Sequence, residues 1–209
     1  MEALPVVIVV TGPPGSGKTT LAERLSEQMK LPLVTKDDLK EILYYVYGWG
    51  DPEKEQSATS GAYELMFHIV ELQVRSRRSL IIESNFRSTA ADRLRDLMQR
   101  YPFEPLQIRC HADRATLLDR FTRRARSGTR HPGHPDEASL MNPDRLLSSG
   151  ARLELGGRFL EVDTSGPEAV NLGSLCEEVK EILRLPAGKA GADWREPGRG
   201  VSGPLGGAG

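Results

Sequence analysis

The sequence predicts an α/β domain, a three-layer sandwich in which a parallel sheet is covered by helices on both faces. Three observations predict it. Short β-branched runs alternate with helix-length amphipathic segments along most of the 209 residues, the pattern of βαβ units. The first run, Val6-Val7-Ile8-Val9-Val10, leads into Gly12-Pro13-Pro14-Gly15-Ser16-Gly17-Lys18-Thr19, which fits G-x-x-x-x-G-K-[ST] at every fixed position. A helix-like segment starts at Lys18, so this glycine-rich loop sits between a strand and a helix, as phosphate binding at a helix N-terminus requires.

Residues 6–10 are the first strand. The helix after the loop carries Leu21, Leu25 and Met29 on one face, the spacing of a buried stripe. Residues 31–34 form a short second strand. Asp37 opens the next helix, with Leu39, Ile42, Leu43 and Val46 as its apolar stripe, and residues 48–51 break it. A long helix over 57–75 turns Ala62, Leu65, Met66, Ile69 and Leu72 inward. Leu80-Ile81-Ile82 is the third strand and ends in Glu83-Ser84-Asn85. Residues 89–100 form a helix with Leu94, Leu97 and Met98 inward, and 106–110 the fourth strand. The helix over 113–126 carries Ala115, Leu118, Phe121 and Thr122 in its stripe. The polar stretch 127–142 lacks periodicity and reads as a loop or mobile lid. Residues 159–162 form a fifth strand, with 153–155 a candidate to pair with it across Gly156-Gly157, and 171–185 the closing helix.

From Pro186 onward Gly, Pro and Ala dominate. Such a segment cannot repay the entropy of ordering. Residues 1–185 are therefore expected to form the folded domain and 186–209 a disordered tail, in which Trp194 is incidental. The net charge of -1 leaves no global basic excess to hold a long nucleic acid and favours a small partner. Cys110 and Cys176 lie far apart in apolar patterns, which suits buried free thiols in a reducing compartment. The early apolar run is short and Glu2 stands where a signal peptide would be positive. No segment approaches a membrane span, and a cytoplasmic protein is expected.

The candidate chemistry is phosphoryl transfer, which asks for a phosphate cradle, a metal, an aligned acceptor and cations around the migrating group. Gly12, Pro13, Pro14, Gly15, Ser16, Gly17, Lys18, Thr19 and Thr20 form the cradle. Lys18 is placed to reach the β- and γ-phosphates and the Thr19 hydroxyl to ligate Mg²⁺. Glu83, at a strand end, is placed to orient that ion through water; a plain strand-end turn is the simpler reading. Asp37 and Asp38 follow the second strand, where ligands bind in open parallel sheets. One of the two is expected to cap the helix and the other to face the crevice as a proton acceptor; spacing leaves open which. Arg120, Arg123, Arg124 and Arg126 lie on the helix before the lid, with Arg130 beyond. Arg120 and Arg124 share a helical face and suit a triphosphate, although such runs are often solvated surface. Tyr44, Tyr45, Tyr47 and Trp49 either wall an acceptor pocket or pack the helix end. His131 and His134 lack a third ligand at zinc-like spacing, so either a lid that contacts phosphate or acceptor, or plain structural packing of the loop, is the better reading.

These motifs resemble P-loop kinases of the nucleoside-monophosphate-kinase-like group, and within it the 5′-kinase domain of phage polynucleotide kinase. The resemblance rests on residues 12–19, on Thr35-Lys36-Asp37-Asp38-Leu39-Lys40, on Ile81-Ile82-Glu83-Ser84-Asn85 and on Arg120 with Arg124. The run Ser127-Gly128-Thr129-Arg130-His131-Pro132-Gly133-His134-Pro135-Asp136 resembles a lid signature of one subgroup. The resemblance implies a five-stranded parallel sheet with an arginine-bearing lid, ATP with Mg²⁺, Asp37 as the general base, and Arg120 and Arg124 as the arginines that hold the phosphates. Two positions depart from the polynucleotide enzyme: Lys40 replaces an arginine for the acceptor phosphate, and Glu83 replaces an aspartate. The expected activity is transfer of the ATP γ-phosphoryl group to a hydroxyl of a small molecule. A polynucleotide 5′-hydroxyl kinase and a partner-stimulated ATPase or switch are the alternatives. The short chain and the Glu83-Ser84 ending of the third strand argue against a ring-forming ATPase.

Overall fold

Every residue of β1 (Val6–Thr11) is buried, as expected of a strand covered on both faces. In the computed structural model, which describes residues 4–134, 142, 144, 147–150, 152–166 and 170–183, β1 lies at the centre of a sheet. Its companions are β2 (Leu33–Thr35), β3 (Leu80–Glu83), β4 (Glu104–His111) and β5 (Arg158–Asp163). The five strands run in the order β2-β3-β1-β4-β5, and each pairing is parallel. Val10 stands opposite Glu83, and Thr35 of β2 also faces Glu83. The register thus brings the glycine-rich loop, Glu83 and the start of the helix after β2 to one edge of the sheet, the C-terminal edge where ligands bind in this architecture.

The helices are α1 (Lys18–Met29), α2 (Lys36–Tyr47), α3 (Pro52–Arg75), α4 (Thr89–Arg100), α5 (Arg114–Arg126) and α6 (Leu172–Leu183). The alternation of side chains along β1 sorts them into two cores. Val7 and Val9 pack with Met66, Phe67, Val70 and Val74 of α3 and with Leu94 and Leu97 of α4. Val6, Ile8 and Val10 pack on the other face with Leu21, Leu25 and Met29 of α1 and with Val179 and Ile182 of α6. Cys110 and Cys176 are both buried free thiols in that second core, and burial pushes the Cys110 thiol up to about 12. Among the described residues no helix is long and apolar enough to cross a membrane.

Several local expectations need correction. α3 begins at Pro52, not at residue 57, because Asp51 caps it: its Oδ1 accepts from Glu53 N–H at 2.8 Å, and Pro52 fills a first-turn position that needs no donor. The buried stripe of α3 advances by fours through Ala58, Ala62, Met66, Val70 and Val74, leaving Leu65 and Leu72 exposed. In α2 the buried residues are Lys40 and Tyr44, while Ile42 and Val46 are exposed. That helix packs on α3 with Leu43 over Gly61, and Lys40 on its covered side lines the cleft. Neither Asp37 nor Asp38 caps α2. Thr35 does, accepting from Asp38 N–H at 3.0 Å. In α5 Leu117 and Phe121 are buried, and Ala115 is exposed. Residues 153–155 form no strand. Leu153 and Leu155 instead plug the core beside α4, and Leu153 N–H donates to the buried Gln107 Oε1 at 3.0 Å. The described part of the 127–142 stretch holds no helix or strand. The expected tail, with Trp194, lies outside the described residues, as do Pro135 and Asp136.

Candidate active site

The chain leaves β1 through Gly12, where φ is +148° and an added Cβ would stand 2.4 Å from the Cys110 carbonyl oxygen of β4. Gly150 closes on the same point: φ is +71°, and a Cβ there would lie 2.4 Å from the Gly12 carbonyl oxygen. Only glycines allow this backbone-on-backbone approach. It brings Ser148 and Ser149 into the wall of the cleft. Gly17 precedes α1 in a left-handed conformation, and no side chain caps the first turn of α1. The N–H groups of that turn are therefore available to an anion, with the helix dipole in support. The Ser16 hydroxyl oxygen is buried without a hydrogen-bond partner among the described residues. Thr164 Oγ1 lies 2.8 Å from both the Ser16 and the His111 carbonyl oxygens and fastens the loop to the end of β4. Thr164→Val is expected to cost about 1–2 kcal/mol, because those buried carbonyls lose a donor; a thermal melt should show Tm lowered by a few degrees.

Lys18 and Thr19 meet Glu83 across the loop. Lys18 Nζ is 3.8 Å from Glu83 Oε1, and the Thr19 hydroxyl donates to Oε2 at 2.9 Å. Burial raises the Glu83 carboxyl, against the pull of Lys18 and the Thr19 hydrogen bond. Two adjacent oxygens, one a buried carboxylate short of positive charge, fit a hard cation such as Mg²⁺, which takes few protein ligands beside substrate phosphates. Of the predicted cradle residues, Pro14 and Lys18 also line the main cleft, whereas Thr20 is exposed on α1.

That cleft has a volume of about 560 Å³ and joins the phosphate loop to α2, α3 and the lid. Asp37 lines it and Asp38 is exposed, so the first of the pair faces the crevice. The Asp37 carboxylate is held by Lys36 on one oxygen and by the Arg130 guanidinium on the other. Burial would raise its pKa, but Lys36 and Arg130 outweigh this and hold it far below the usual carboxylate range. A depressed folded value means stability that is present above the ordinary value of 3.8 and lost as pH falls below it. Urea midpoints measured from pH 6 down to pH 3 should therefore drop less steeply for Asp37→Asn than for the wild-type protein.

The arginines on α5 divide. Arg124 lines the cleft with Lys18, its guanidinium 4.9 Å above the Phe121 ring. Arg120 turns toward the β5–α6 connection and donates to the Ser165 carbonyl at 3.3 Å. The geometry brings Arg124, not Arg120, to the cleft wall, and adds Arg130 from the lid. The lid loop is seated on α2. His131 stacks on Tyr44 at 5.2 Å and meets Tyr45 and Trp49 edge-on at 5.1 and 4.7 Å. His134 Nε2 is 2.9 Å from Glu41 Oε1. Both histidines meet Tyr44, His134 edge-on at 5.8 Å. The aromatic cluster serves lid docking, with Tyr44 buried and Tyr47 exposed.

Sequence reasoning missed one wall. Glu55, Thr59 and Tyr63 project from α3 into the cleft. Their spacing of four residues along one helix was the available signal. Tyr63 Oη is 2.9 Å from Ser84 Oγ, and Glu55 Oε1 is 3.3 Å from Lys40 Nζ. Lys40 is buried, with its ammonium 5.3 Å from the Tyr44 ring centroid, and burial lowers its pKa despite Glu55. Arg87, exposed at the rim, was also missed.

Comparison with known proteins places this cleft in a family. A solved protein from Chloroflexus aurantiacus assigned as a kinase is 36% identical, with a TM-score of 0.79 over 86% of this chain and 98% of that one. The Mycobacterium tuberculosis APS kinase in complex with AMPPNP and APS is 14% identical, with a TM-score of 0.56 over 88% of this chain and 99% of that one, a likeness of fold. Cytidylate kinase from Pyrobaculum arsenaticum is 35% identical over 69 residues, which are 28% of this chain and only 38% of that protein. A family model described as an AAA domain (AAA_33) matches residues 7–147, well over half of the chain; the chain belongs to that family and is a P-loop kinase of the nucleoside-monophosphate-kinase-like group.

Proposed function

We propose that this P-loop kinase transfers the γ-phosphoryl group of ATP to a hydroxyl of a small-molecule acceptor, with Mg²⁺ held near Thr19 and Glu83. The observation that carries the reading is a single cleft lined by both the loop lysine Lys18 and the carboxylate Asp37. Lys18, the amides of the loop and Arg124 bind and orient the triphosphate. Asp37 accepts the hydroxyl proton, the acceptor oxygen bonds to the γ-phosphorus, and the bond to the β–γ bridging oxygen breaks with its electrons leaving on ADP. Mg²⁺ when bound supplies charge neutralisation on the phosphate oxygens. Arg120 supports the loop from the Ser165 side.

Thr59 and Tyr63 offer hydroxyls to a polar acceptor from the α3 wall. Incubating the full chain with a metabolite pool and γ-labelled ATP, followed by mass spectrometry, tests the proposal. It predicts at least one newly labelled phosphorylated small molecule. Label found solely in inorganic phosphate would contradict it, and label on a 5′-hydroxyl oligonucleotide added to the pool would move the acceptor to nucleic acid.

A further inference from the structure

The turn His131-Pro132-Gly133-His134 holds a glycine that its backbone does not need. His134 N–H donates to the His131 carbonyl at 3.0 Å, so the four residues close a β-turn. Gly133 stands at the third position without a positive φ, a conformation open to other residues. Space is what demands glycine. A Cβ there would lie 2.7 and 2.8 Å from Cε2 and Cδ2 of Tyr44 and 2.9 Å from Cβ of Trp49. Tyr44 is fully buried on α2, so its ring has no room to step aside. The turn is shaped to fit α2.

Both flanking histidines complete that fit. Gly133 N–H donates to His131 Nδ1 at 3.0 Å, which makes this nitrogen an acceptor and fixes the imidazole against the Tyr44 ring, their planes 19° apart. His134 turns edge-on to the same ring and has its Nε2 beside Glu41. The Tyr44 hydroxyl is buried with no hydrogen-bond partner among the described residues, so the ring itself is the socket. Arg130 directly precedes this peg, and its guanidinium lies on Asp37, about two helical turns before Tyr44 on α2. A long arginine side chain loses rotamer freedom when held on one carboxylate. An anchor in the adjoining residue restricts where its Cα can stand and lowers that cost.

We propose that Gly133 and Tyr44 are positioning residues: the fit of the turn into α2 places the Arg130 guanidinium on Asp37 and so orients the carboxylate that takes the acceptor's proton. The inference rests on the kinase reading above for the role of Asp37, and goes beyond it by naming the contact that sets this group. Its test needs no acceptor. The full chain, ¹³C-labelled at its aspartate carboxyls, gives an Asp37 signal that is assigned by its absence in Asp37→Asn. The signal is followed near neutral pH in Arg130→Gln, in Gly133→Val and in the double variant.

Arg130→Gln is expected to displace the Asp37 signal, Gly133→Val to displace it in the same direction, and the double variant to add little to Arg130→Gln alone, the non-additivity of residues acting through one contact. Tyr44→Phe, which keeps the ring, should leave the signal in place, and Tyr44→Leu should displace it. A merely structural turn would lower Tm and leave the signal unmoved. An Asp37 signal indifferent to Gly133→Val or to Arg130→Gln, displacements that simply add, or equal displacement in Tyr44→Phe and Tyr44→Leu would overturn the inference while leaving the kinase reading in place. If Gly133→Val does not fold, His131→Ala, which removes the stacked ring, takes its place in the cycle with the same expectations. AMPPNP affinity should hold within a factor of about two in Gly133→Val, while labelled product formed from the metabolite pool should fall at least about tenfold, as misplacement of a reacting group predicts. Loss of AMPPNP affinity would overturn the inference, because the turn would then serve the nucleotide, and so would product formed at the wild-type rate. Failure of the wild-type chain to bind AMPPNP at all would refute the kinase reading, and this inference with it.

Discussion

Asp37→Asn is expected to lower kcat about a thousandfold while AMPPNP affinity stays within a factor of about three, the size of effect a positioned general base contributes. The carboxylate lines the acceptor half of the cleft and makes no contact with the phosphate loop, so nucleotide binding should not depend on it. The substitution also relieves Lys36 and Arg130 of their shared counter-charge. KM for an anionic acceptor should consequently fall as kcat falls. A merely structural Asp37 would give the opposite pattern, with KM rising and nucleotide binding lost together with the fold. Steady-state kinetics with the acceptor found in the labelled pool separate the two.

Lys18→Ala should be the more damaging change, losing at least tenfold in AMPPNP affinity and a further factor of about 10²–10³ in kcat. Two effects add. The ammonium that would hold the β- and γ-phosphates is gone, and Glu83 is left buried with the Thr19 hydroxyl as its remaining contact. An uncompensated carboxylate beside the loop repels the triphosphate. Measured without Mg²⁺, which Glu83 is proposed to help hold, the double variant Lys18→Ala with Glu83→Gln should therefore bind AMPPNP more tightly than Lys18→Ala alone, a non-additivity expected of groups in contact. Equilibrium dialysis on the four proteins of the cycle measures it.

What could be read from the chain followed from how local each signal is. The β1–loop–α1 unit was legible because strand, glycine-rich turn and helix are contiguous, and the register that sets Val10 beside Glu83 follows from two short apolar strands meeting in one sheet. The facing of α2 was not legible. Its covered side is defined by the cleft and by a loop about ninety positions further along, so Lys40 and Tyr44 are buried where hydropathy favours Ile42 and Val46. Leu153 and Leu155 looked like a strand because buried apolar residues do; the Leu153 N–H donates to a glutamine side chain and the Leu155 N–H to the Leu153 carbonyl instead. Thr164 and Gly150 gave no signal, since each matters only through a backbone distant in sequence. Arg130 was visible as one of several arginines, and only the folded lid distinguishes it by setting it on Asp37.

The central claim is that the loop from Gly12 to Thr19 grips a nucleoside triphosphate through Lys18 and the open first turn of α1. Equilibrium dialysis of the full chain against labelled AMPPNP with Mg²⁺ tests it most directly, since the readout does not depend on knowing the acceptor. The account predicts one saturable site per chain, weakened at least tenfold in Lys18→Ala and also by removal of Mg²⁺. No saturable binding, or binding indifferent to Lys18, would contradict it.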